Sequence, residues 1–407
     1  MSPIKSKLLR LLLALLIPLL LSGCWERKEL NEIAFVLGMG LDKSESGYKV
    51  TMQVVIPSSI SSQTAGGAGG GGGVPVVVSS FTVPTIYEAD RQYTLISSRT
   101  SYKGHIRVLV IGEELARAGI AETLDVLKRS REPRNDYFVM VAKGTTAEEV
   151  LKVLTPLDKI PANKLFSSLD KSYKISAKTT AVSLNKFVDD LLYEGINPVL
   201  TGVEVDGNTS EGDKMSNLEQ SVPKANLQYR SLAVFKKDRM VGWLSDKETI
   251  GYNYITDNVV KTSGNVIGDD GRPIVIEAIR TTTKRKMKMV GGEPHIYIHV
   301  KAEGNVQEVQ SKDNLEAESV IRQLERKSEE RIILRMETTV KQIIERYNVD
   351  VMGFGQMIYR ANPKAWARLQ QTKGDNYLKS LPVHYKATMS INRIGITDRS
   401  FIDDVKE

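Results

Sequence analysis

The first half of the chain alternates short apolar runs with amphipathic segments. Continuous apolar runs and two-residue alternation predict strands, whereas apolar residues spaced by three or four positions predict helices. The predicted strands are 33–41, 48–56, 76–83, 105–111 and 137–142, and the predicted helices are 86–98, 113–129, 147–154 and 184–193. This succession predicts an α/β or α+β lobe over residues 24–210.

The second half is richer in strand patterns and contains one long helical pattern. The predicted strands are 231–235 and 240–244, which form a hairpin, and then 274–279, 281–289, 295–302 and 383–394. Residues 313–347 contain neither Gly nor Pro, and apolar residues recur there every three or four positions. Asp313 is predicted to cap this helix, with Glu316 as its capping-box partner. We expect the helix to lie along an antiparallel sheet.

These patterns predict an α+β protein of several domains, with mixed sheets, flanking helices and a long helix on an antiparallel sheet in the C-terminal half. A length of 407 residues also suits two or three domains. The expected division is a signal peptide at 1–23, an N-terminal lobe at 24–210 and a C-terminal domain at 211–407. The polar segment 209–223 is predicted to be a surface linker.

A basic start and an apolar run precede the first predicted strand. Lys5, Lys7 and Arg10 are followed by an unbroken apolar run from Leu11 to Leu21. A helix needs roughly 20 residues to cross a bilayer, so this run is too short to span one. Its length and flanks are typical of a secretory signal peptide. No later run is long enough to predict a transmembrane helix in the body of the protein.

The apolar run ends in Leu-Ser-Gly-Cys, and Cys24 is the only cysteine in the sequence. A lone cysteine cannot form an internal disulfide, and its thiolate is a strong nucleophile. The tetrapeptide resembles the bacterial lipobox, which implies cleavage between Gly23 and Cys24 and a diacylglyceryl group on Cys24. An uncleaved membrane anchor and a buried structural cysteine are the alternatives. We expect Cys24 to be the lipid-attachment site.

Composition and charge exclude little beyond nucleic-acid binding. Hydrophobic residues make up 41% of the chain and charged residues 26%, which suits a globular protein with a sizeable core. The formal net charge is +7, and three of the 56 basic residues lie in the leader, which leaves 53 against 49 acidic residues after position 23. This small excess does not predict nucleic-acid binding, and it fits a position near anionic lipid only loosely.

Candidate cofactor and metal motifs are incomplete. Gly38 and Gly40 lack the third glycine of a dinucleotide fingerprint, and the glycine run 69–73 lacks the Lys-Ser/Thr of a phosphate-binding loop. His295 and His299 lie four residues apart on a predicted strand, roughly 13 Å from one another, which is too far to share a metal ion. We therefore expect no cofactor and no metal site.

The remaining polar motifs favour structural interpretations. His105 at the start of a strand is predicted to be a hydrogen-bonded structural residue, and Trp243 is predicted to belong to the core. The basic run 284–288 predicts a solvated, charge-protected strand, with contact to lipid headgroups or an acidic partner as the alternative. The sequence lacks Gly-x-Ser-x-Gly, His-Glu-x-x-His, and a Ser-x-x-Lys with its companion motifs, so we do not expect an enzyme.

Several motifs together resemble the Ger(x)C family of bacterial spore germination lipoproteins. They are the segments 24–32, 36–43 and 104–112, Val-Gly-Trp-Leu at 241–244, Asp-Val-Met-Gly-Phe-Gly at 350–355, Arg-x-x-Pro-x-x-Trp at 360–366, and Arg-Ile-Gly at 393–395. Members of this family are the C subunits of nutrient germinant receptors. The resemblance implies partnership with integral membrane A-type and B-type subunits in the inner spore membrane.

The residues alone favour an exported, membrane-tethered protein of several domains. The resemblance implies a lipid-anchored, non-enzymatic subunit of a nutrient germinant receptor, located on the outer face of the spore inner membrane. Two alternatives are an exported lipoprotein hydrolase and an exported solute-binding lipoprotein. The residues of a Ser/His/Asp triad can lie far apart in a sequence, so the sequence does not exclude the hydrolase alternative. The solute-binding fold needs two doubly wound lobes, which the strand-rich second half does not favour.

Overall fold

The computed structural model describes residues 31–57, 74–130, 132–134 and 136–393, together with Ile4 and Glu29. Its strands are β1 (Ile33–Ser44), β2 (Gly47–Val55), β3 (Val76–Val83), β4 (Thr100–Tyr102), β5 (Val108–Gly112), β6 (Phe138–Ala142), β7 (Val199–Gly207), β8 (Ala225–Lys236), β9 (Arg239–Leu244), β10 (Thr262–Ile267), β11 (Pro273–Val290), β12 (Glu293–Val309) and β13 (Val383–Arg393). In this described part of the chain the strands form two sheets, one of nine strands and one of four.

Helices fill the connections between the strands. They are α1 (Glu88–Ile96), α2 (Glu113–Ala118), α3 (Ala121–Arg129), α4 (Ala147–Lys152), α5 (Pro161–Ile175), α6 (Leu184–Leu192), α7 (Thr209–Gly212), α8 (Ser216–Glu219), α9 (Asp246–Ile255), α10 (Glu318–Tyr347), α11 (Phe354–Ala361) and α12 (Pro363–Lys373), with a 3-10 helix at Gly374–Ser380. The predicted α+β class with mixed sheets and flanking helices is confirmed.

The first sheet is parallel at its centre and antiparallel at its edges. Its order is β3-β2-β1-β5-β6-β7-β8-β9, and β4 pairs with β1 beside this path. The pairs from β1 through β5 and β6 to β7 are parallel. One face packs against α1, α2, α3 and α6, and the other packs against α4 and α5. Because both faces are covered, every residue of β5 is buried, as expected for a continuous apolar run.

The second sheet has the order β10-β11-β12-β13 and carries helices on one face. β10, β11 and β12 pair antiparallel, whereas β13 pairs with β12 in parallel. The parallel pair arises because the chain returns through α10, α11 and α12 before it enters β13. The sheet predicted to be antiparallel is therefore antiparallel over its first three strands and parallel at the last.

The long helix α10 follows its predicted apolar seam but begins five residues later than predicted. Leu324, Ile332 and Met336 are buried against the second sheet, and Ser328 donates a hydrogen bond to the Leu324 carbonyl at 2.7 Å. The predicted cap at Asp313 is wrong. Its carboxylate instead accepts a hydrogen bond from the Asp269 amide at 3.2 Å, so it binds the loop after β10 and does not cap the helix.

Helix α9 was missing from the expected elements, although its capping sequence is present. Ser245 accepts a hydrogen bond from the Glu248 amide, and the Glu248 carboxylate accepts one from the Ser245 amide at 2.7 Å. This reciprocal pair is a capping box. Helix α5 was also missing, because the pattern between residues 155 and 180 is weak. The predicted strands 274–279 and 281–289 are one strand, β11, with an irregularity between Ala278 and Arg280.

The segment predicted to be a linker lies between strands of one sheet. Residues 209–223 connect β7 to β8, which are hydrogen-bonded neighbours in the first sheet. Asn217 in this segment is buried, and its side chain binds the Leu154 carbonyl and both backbone groups of Ala225. The first sheet thus takes strands from both sides of residue 210. Among the described residues, no helix is both long enough and apolar enough to cross a membrane.

Helix α4 is held against β2 and β3 by polar contacts that are sensitive to pH. Glu148 accepts hydrogen bonds from Lys152 at 2.6 Å and Ser80 at 3.0 Å, and it pairs with Lys49. Burial raises the pKa of Glu148, but these three contacts outweigh burial and lower it from 4.5 to about 2. A carboxyl group whose pKa is lower in the folded than in the unfolded protein stabilises the fold at any pH above its unfolded-state pKa. That contribution is lost as the pH falls toward the folded-state pKa.

We therefore expect Glu148→Gln to destabilise the protein at neutral pH and to have a shrinking effect as the pH falls from 4.5 toward about 2. Urea unfolding of both proteins across this pH range measures the difference. Glu122→Gln on the exposed side of α3 is the matched control and is expected to change stability little. A destabilisation by Glu148→Gln that is equal at all pH values would contradict this account.

Candidate functional site

The residues predicted for processing and lipid attachment lie outside the described residues. Gly23 and Cys24 are not among the described residues, and Ile4 is the only described residue of the predicted signal peptide at 1–23. The glycine run 69–73 and Gly395 at the end of the Arg-Ile-Gly motif also lie outside the described ranges. Cleavage before Cys24 and lipid attachment to it stay predictions from the sequence. The motifs at 350–355 and 360–366 are described in full.

The Asp-Val-Met-Gly-Phe-Gly motif is organised around a buried carboxylate. Asp350 is 3% exposed. One of its oxygens, Oδ1, accepts a hydrogen bond from the Gly353 amide at 2.7 Å. The other, Oδ2, accepts from the Gly355 amide and from the Tyr377 hydroxyl, both at 2.6 Å. Burial raises the pKa of Asp350, and these donors act against that rise.

The two glycines of the motif are required for different reasons. Gly353 has a φ of +72°, a left-handed conformation that favours glycine, and it precedes the first turn of α11. Gly355 is required by space, because a Cβ there would lie 2.5 Å from the Tyr377 hydroxyl and 2.7 Å from the Trp366 ring. Trp366 and Tyr377 pack edge to face with ring centroids 5.2 Å apart.

The same motif contacts the loop that leads into β7 of the first sheet. The Asn197 amide donates to the Asp350 carbonyl at 2.7 Å, and the Gln356 amide donates to the Gly195 carbonyl at 2.9 Å. Trp366 donates its indole N–H to the Glu194 carboxylate at 2.9 Å. We call this set the junction, which consists of Glu194, Gly195, Asn197, Asp350, Gly353, Gly355, Gln356, Trp366 and Tyr377.

At the junction the backbone of the loop before β7 lies close to the backbone at the start of α11. Gly195 has a φ of +73°, and a Cβ there would lie 2.4 Å from the Gly355 carbonyl carbon. The Arg285 guanidinium of β11 also donates to the Met352 carbonyl at 2.7 Å. The junction is therefore held by groups from both sheets. It fixes the position of the second sheet relative to the first.

A second set of contacts joins the end of α10 to β9 and α9. The Tyr347 hydroxyl donates to the Trp243 carbonyl at 2.9 Å, and Arg346 forms an ion pair with Glu248. Gly242 leaves room for the Tyr347 ring, since a Cβ there would lie 2.4 Å from it. Trp243 itself packs against the core between the first sheet and helices α1, α2, α3 and α6, and it donates to the Glu113 carboxylate at 3.1 Å. The Val-Gly-Trp-Leu motif thus contributes to packing between the sheets.

The histidines considered in the sequence occupy two different surfaces. His105 is exposed, and its ring lies 5.7 Å from Phe35 and 5.8 Å from Tyr102. His295 and His299 lie on β12, where His295 contacts His384 of β13 rather than His299. No group of three or more His, Cys, Asp or Glu side chains suited to a metal ion occurs among the residues that the structure describes.

A cleft of about 550 Å³ opens between the turn after β11 and helix α12. Its cationic side chains are Lys364, Arg368 and Lys373, and Glu293 supplies a carboxylate. Within the described lining there is no histidine or cysteine, so these walls do not offer an imidazole base or a thiol nucleophile.

Known protein families match this chain over both halves. Residues 26–205 match the family described as spore germination protein N-terminal domain, and residues 230–395 match the family described as spore germination B3/GerAC like, C-terminal. Spore germination protein KC of Bacillus subtilis (strain 168) is 31% identical over 405 residues, which are 98% of this chain and 99% of that protein. The chain belongs to the Ger(x)C family of spore germination proteins.

Other Ger(x)C proteins are similar over most of the chain. Spore germination protein B3 of Bacillus subtilis (strain 168) is 26% identical over 86% of this chain and 89% of its own length. The crystal structure of the GerBC protein covers 87% of this chain and 96% of its own, with a TM-score of 0.54 and 19% sequence identity. At that identity the likeness shows the Ger(x)C fold.

Two of the Ger(x)C motifs quoted from the sequence, 350–355 and 360–366, meet at the junction, but several of their partners could not be found from the sequence. Gly353 and Gly355 stood out as glycines after a long helix, and Trp366 stood out as part of a motif. Glu194 and Gly195 carried no such signal. The indole of Trp366 reaches Glu194 across 172 positions of sequence, and no periodic pattern predicts a contact of that range.

Proposed function

We propose that this chain is a lipid-anchored, non-enzymatic subunit of a spore nutrient germinant receptor. The observation that carries the proposal is the similarity to spore germination protein KC over 98% of this chain and 99% of that protein. Similarity that extends over whole chains supports a shared role in germination, since no large segment that could confer a different activity is added or lost.

The sequence at Cys24 supports the anchor. A short apolar run after a basic start directs export, and a cysteine after Ser-Gly is suited to receive a lipid. Lipid chains contribute about 0.8 kcal/mol for each buried methylene group, and two chains suffice for stable anchoring. The body would then lie on the outer face of the spore inner membrane, beside its partners.

The proposed partners are the integral membrane A-type and B-type subunits of the receptor. The junction supports a role as a rigid component, because hydrogen bonds of Asp350, Gln356 and Trp366 tie the residues after α10 to the loop that leads into β7 of the first sheet. A body of fixed shape can present one constant surface to membrane-embedded subunits. In this proposal the chain contributes binding and positioning, and it catalyses no reaction.

The proposal predicts a selective germination defect. Deletion of the gene from a spore former that lacks other Ger(x)C subunits is expected to abolish the response to nutrients, with the response to a detergent-like chemical germinant unchanged. Loss of spore optical density after nutrient addition measures the defect, and re-introduction of the intact gene should restore it.

Two outcomes would contradict the proposal. One is a deletion strain that germinates normally in nutrients. The other is a purified chain that turns over an ester or peptide panel and loses this activity on substitution of one serine or histidine, which would support the hydrolase alternative.

A further inference from the structure

The solvent-facing side of the second sheet carries a concentration of lysines. In the register of β11 with β12, Lys284 lies opposite His299, and Lys288 lies opposite His295. Residues directly opposite one another in a ladder share a face. The other face of the sheet is covered by α10. We call the exposed side the basic face, which consists of Lys284, Lys286, Lys288, His295, Tyr297, His299, Lys301, His384 and Lys386.

Three of the four histidines of the sequence belong to this face in the described structure. The His295 Nδ1 atom lies 3.0 Å from His384 Nε2, and the Tyr297 ring stacks on His384 with centroids 4.5 Å apart. His299 Nε2 lies 2.9 Å from the Thr388 hydroxyl. Partial burial lowers the pKa of His299, and Lys386, Lys301 and Lys284 lower it further.

The acidic residues of the described outward side lie at its two ends. Glu293 is the first residue of β12 and lies opposite Val290 at the hairpin end. Glu303 lies farther along β12 and pairs with Arg280 at 3.4 Å, and Glu277 beyond it accepts a hydrogen bond from Gln307. Between these ends the charged side chains of the basic face are lysines. This region therefore holds a local positive charge that the weak net charge of the whole chain conceals.

The hairpin tip next to the lysines is apolar and exposed. Met289 is 40% exposed and Val290 is 45% exposed. Gly291 and Gly292 follow with positive φ angles and form the turn. Lys288 places its ammonium group 5.2 Å from the centre of the Tyr297 ring. An apolar tip beside tyrosine and lysines is the residue combination that favours a membrane–water interface.

We infer that the basic face and its hairpin tip dock on anionic lipid headgroups, with Met289 and Val290 inserted among them. The lysines supply the charge complementarity, and the apolar tip favours a lipid surface over an acidic protein, whose surface offers no hydrocarbon layer. The inference builds on the proposed membrane location and adds an orientation, since the second sheet then faces the bilayer.

The test places a fluorophore at the hairpin tip of the full chain. Gly291→Cys is labelled with an environment-sensitive dye and mixed with vesicles of phosphatidylcholine, either alone or with phosphatidylglycerol. The parent chain, whose only cysteine is Cys24, is treated identically and shows how much of the signal comes from dye at Cys24. We expect a blue-shifted emission on the anionic vesicles, loss of the shift at about 0.5 M salt, and no shift on neutral vesicles.

Charge reversal separates this surface from the overall charge of the chain. The triple change Lys284→Glu, Lys286→Glu and Lys288→Glu is expected to weaken the anionic-vesicle response at least about tenfold. The matched control reverses three exposed lysines outside the second sheet, Lys159→Glu, Lys171→Glu and Lys247→Glu, and is expected to keep the response.

Three results would overturn the inference. They are equal emission on neutral and anionic vesicles, equal loss in both lysine triples, and an unresponsive tip whose lysines are instead required for binding to a membrane protein. The difference between anionic and neutral vesicles can be measured whether or not Cys24 carries lipid. Failure of the docking inference is therefore distinguishable from failure of the proposed lipid anchor. Mass analysis of the N-terminal peptide tests the anchor separately.

Discussion

Asp350→Ala is expected to lower the free energy of unfolding by at least about 3 kcal/mol. The change leaves the Gly353 and Gly355 amides and the Tyr377 hydroxyl without their acceptor in a buried site, and each unpaired buried donor costs about 1–3 kcal/mol. Urea unfolding followed by circular dichroism measures the loss. Because the junction joins the two sheets, we also expect increased proteolysis of the Glu194–Asn197 loop.

Two control variants show whether the carboxylate is the centre of the junction. Tyr377→Phe removes one donor and is expected to cost about 1–2 kcal/mol. Asp375→Ala removes a carboxylate that is 66% exposed and is expected to cost less than about 1 kcal/mol. If Asp350→Ala cost no more than Asp375→Ala, the account of the junction would be wrong.

Cys24→Ala is expected to move the protein from salt-washed membranes to the soluble fraction and to weaken nutrient germination. Without the thiol there is no site for lipid, and the basic face alone gives only binding that high salt reverses. Fractionation of spore membranes followed by immunoblotting measures the change. Ser22→Ala keeps the cysteine and a small residue before it, so it should leave the protein in the membrane.

Retention of Cys24→Ala in salt-washed membranes would contradict the lipid anchor. An uncleaved apolar segment gives that result, because the run 11–21 would then hold the chain without lipid. The mass of the mature N-terminal peptide distinguishes the two cases.

The long helix shows both how far sequence reasoning reached and where it failed. The run without Gly or Pro and the seam at Leu324, Ile332 and Met336 predicted the helix and its buried side. Its end at Tyr347 was also correct, since Asn348 adopts the left-handed conformation. Its start was wrong because Asp313, a competent cap by type, binds a loop that approaches only in the folded protein.

The direction of β13 illustrates a second limit. Alternation along residues 383–394 predicts a half-buried strand, but alternation is the same in parallel and antiparallel ladders. The pairing of β13 with β12 follows from the return of the chain through the three intervening helices. A sequence pattern of one strand does not contain that information.

The candidate sites show the same division between local and distant contacts. The glycines of the 350–355 motif and the lysines of 284–288 were evident because each set is local in sequence. Glu194 and His384 were not evident as partners, because Trp366 and His295 reach them across 172 and 89 positions respectively. Such contacts depend on how the two sheets are placed, which no local pattern encodes.

The central claim is that this chain works as one subunit of a membrane receptor. Affinity isolation of a tagged, germination-competent chain from detergent-solubilised spore membranes, with mass spectrometric identification of its companions, tests it most directly. We predict that integral membrane A-type and B-type receptor subunits are recovered in constant proportion to the chain and are absent from an untagged control. The spores must germinate normally in nutrients before solubilisation, and the detergent must preserve other receptor complexes. Under these conditions, recovery of the chain without any integral membrane protein would contradict the account.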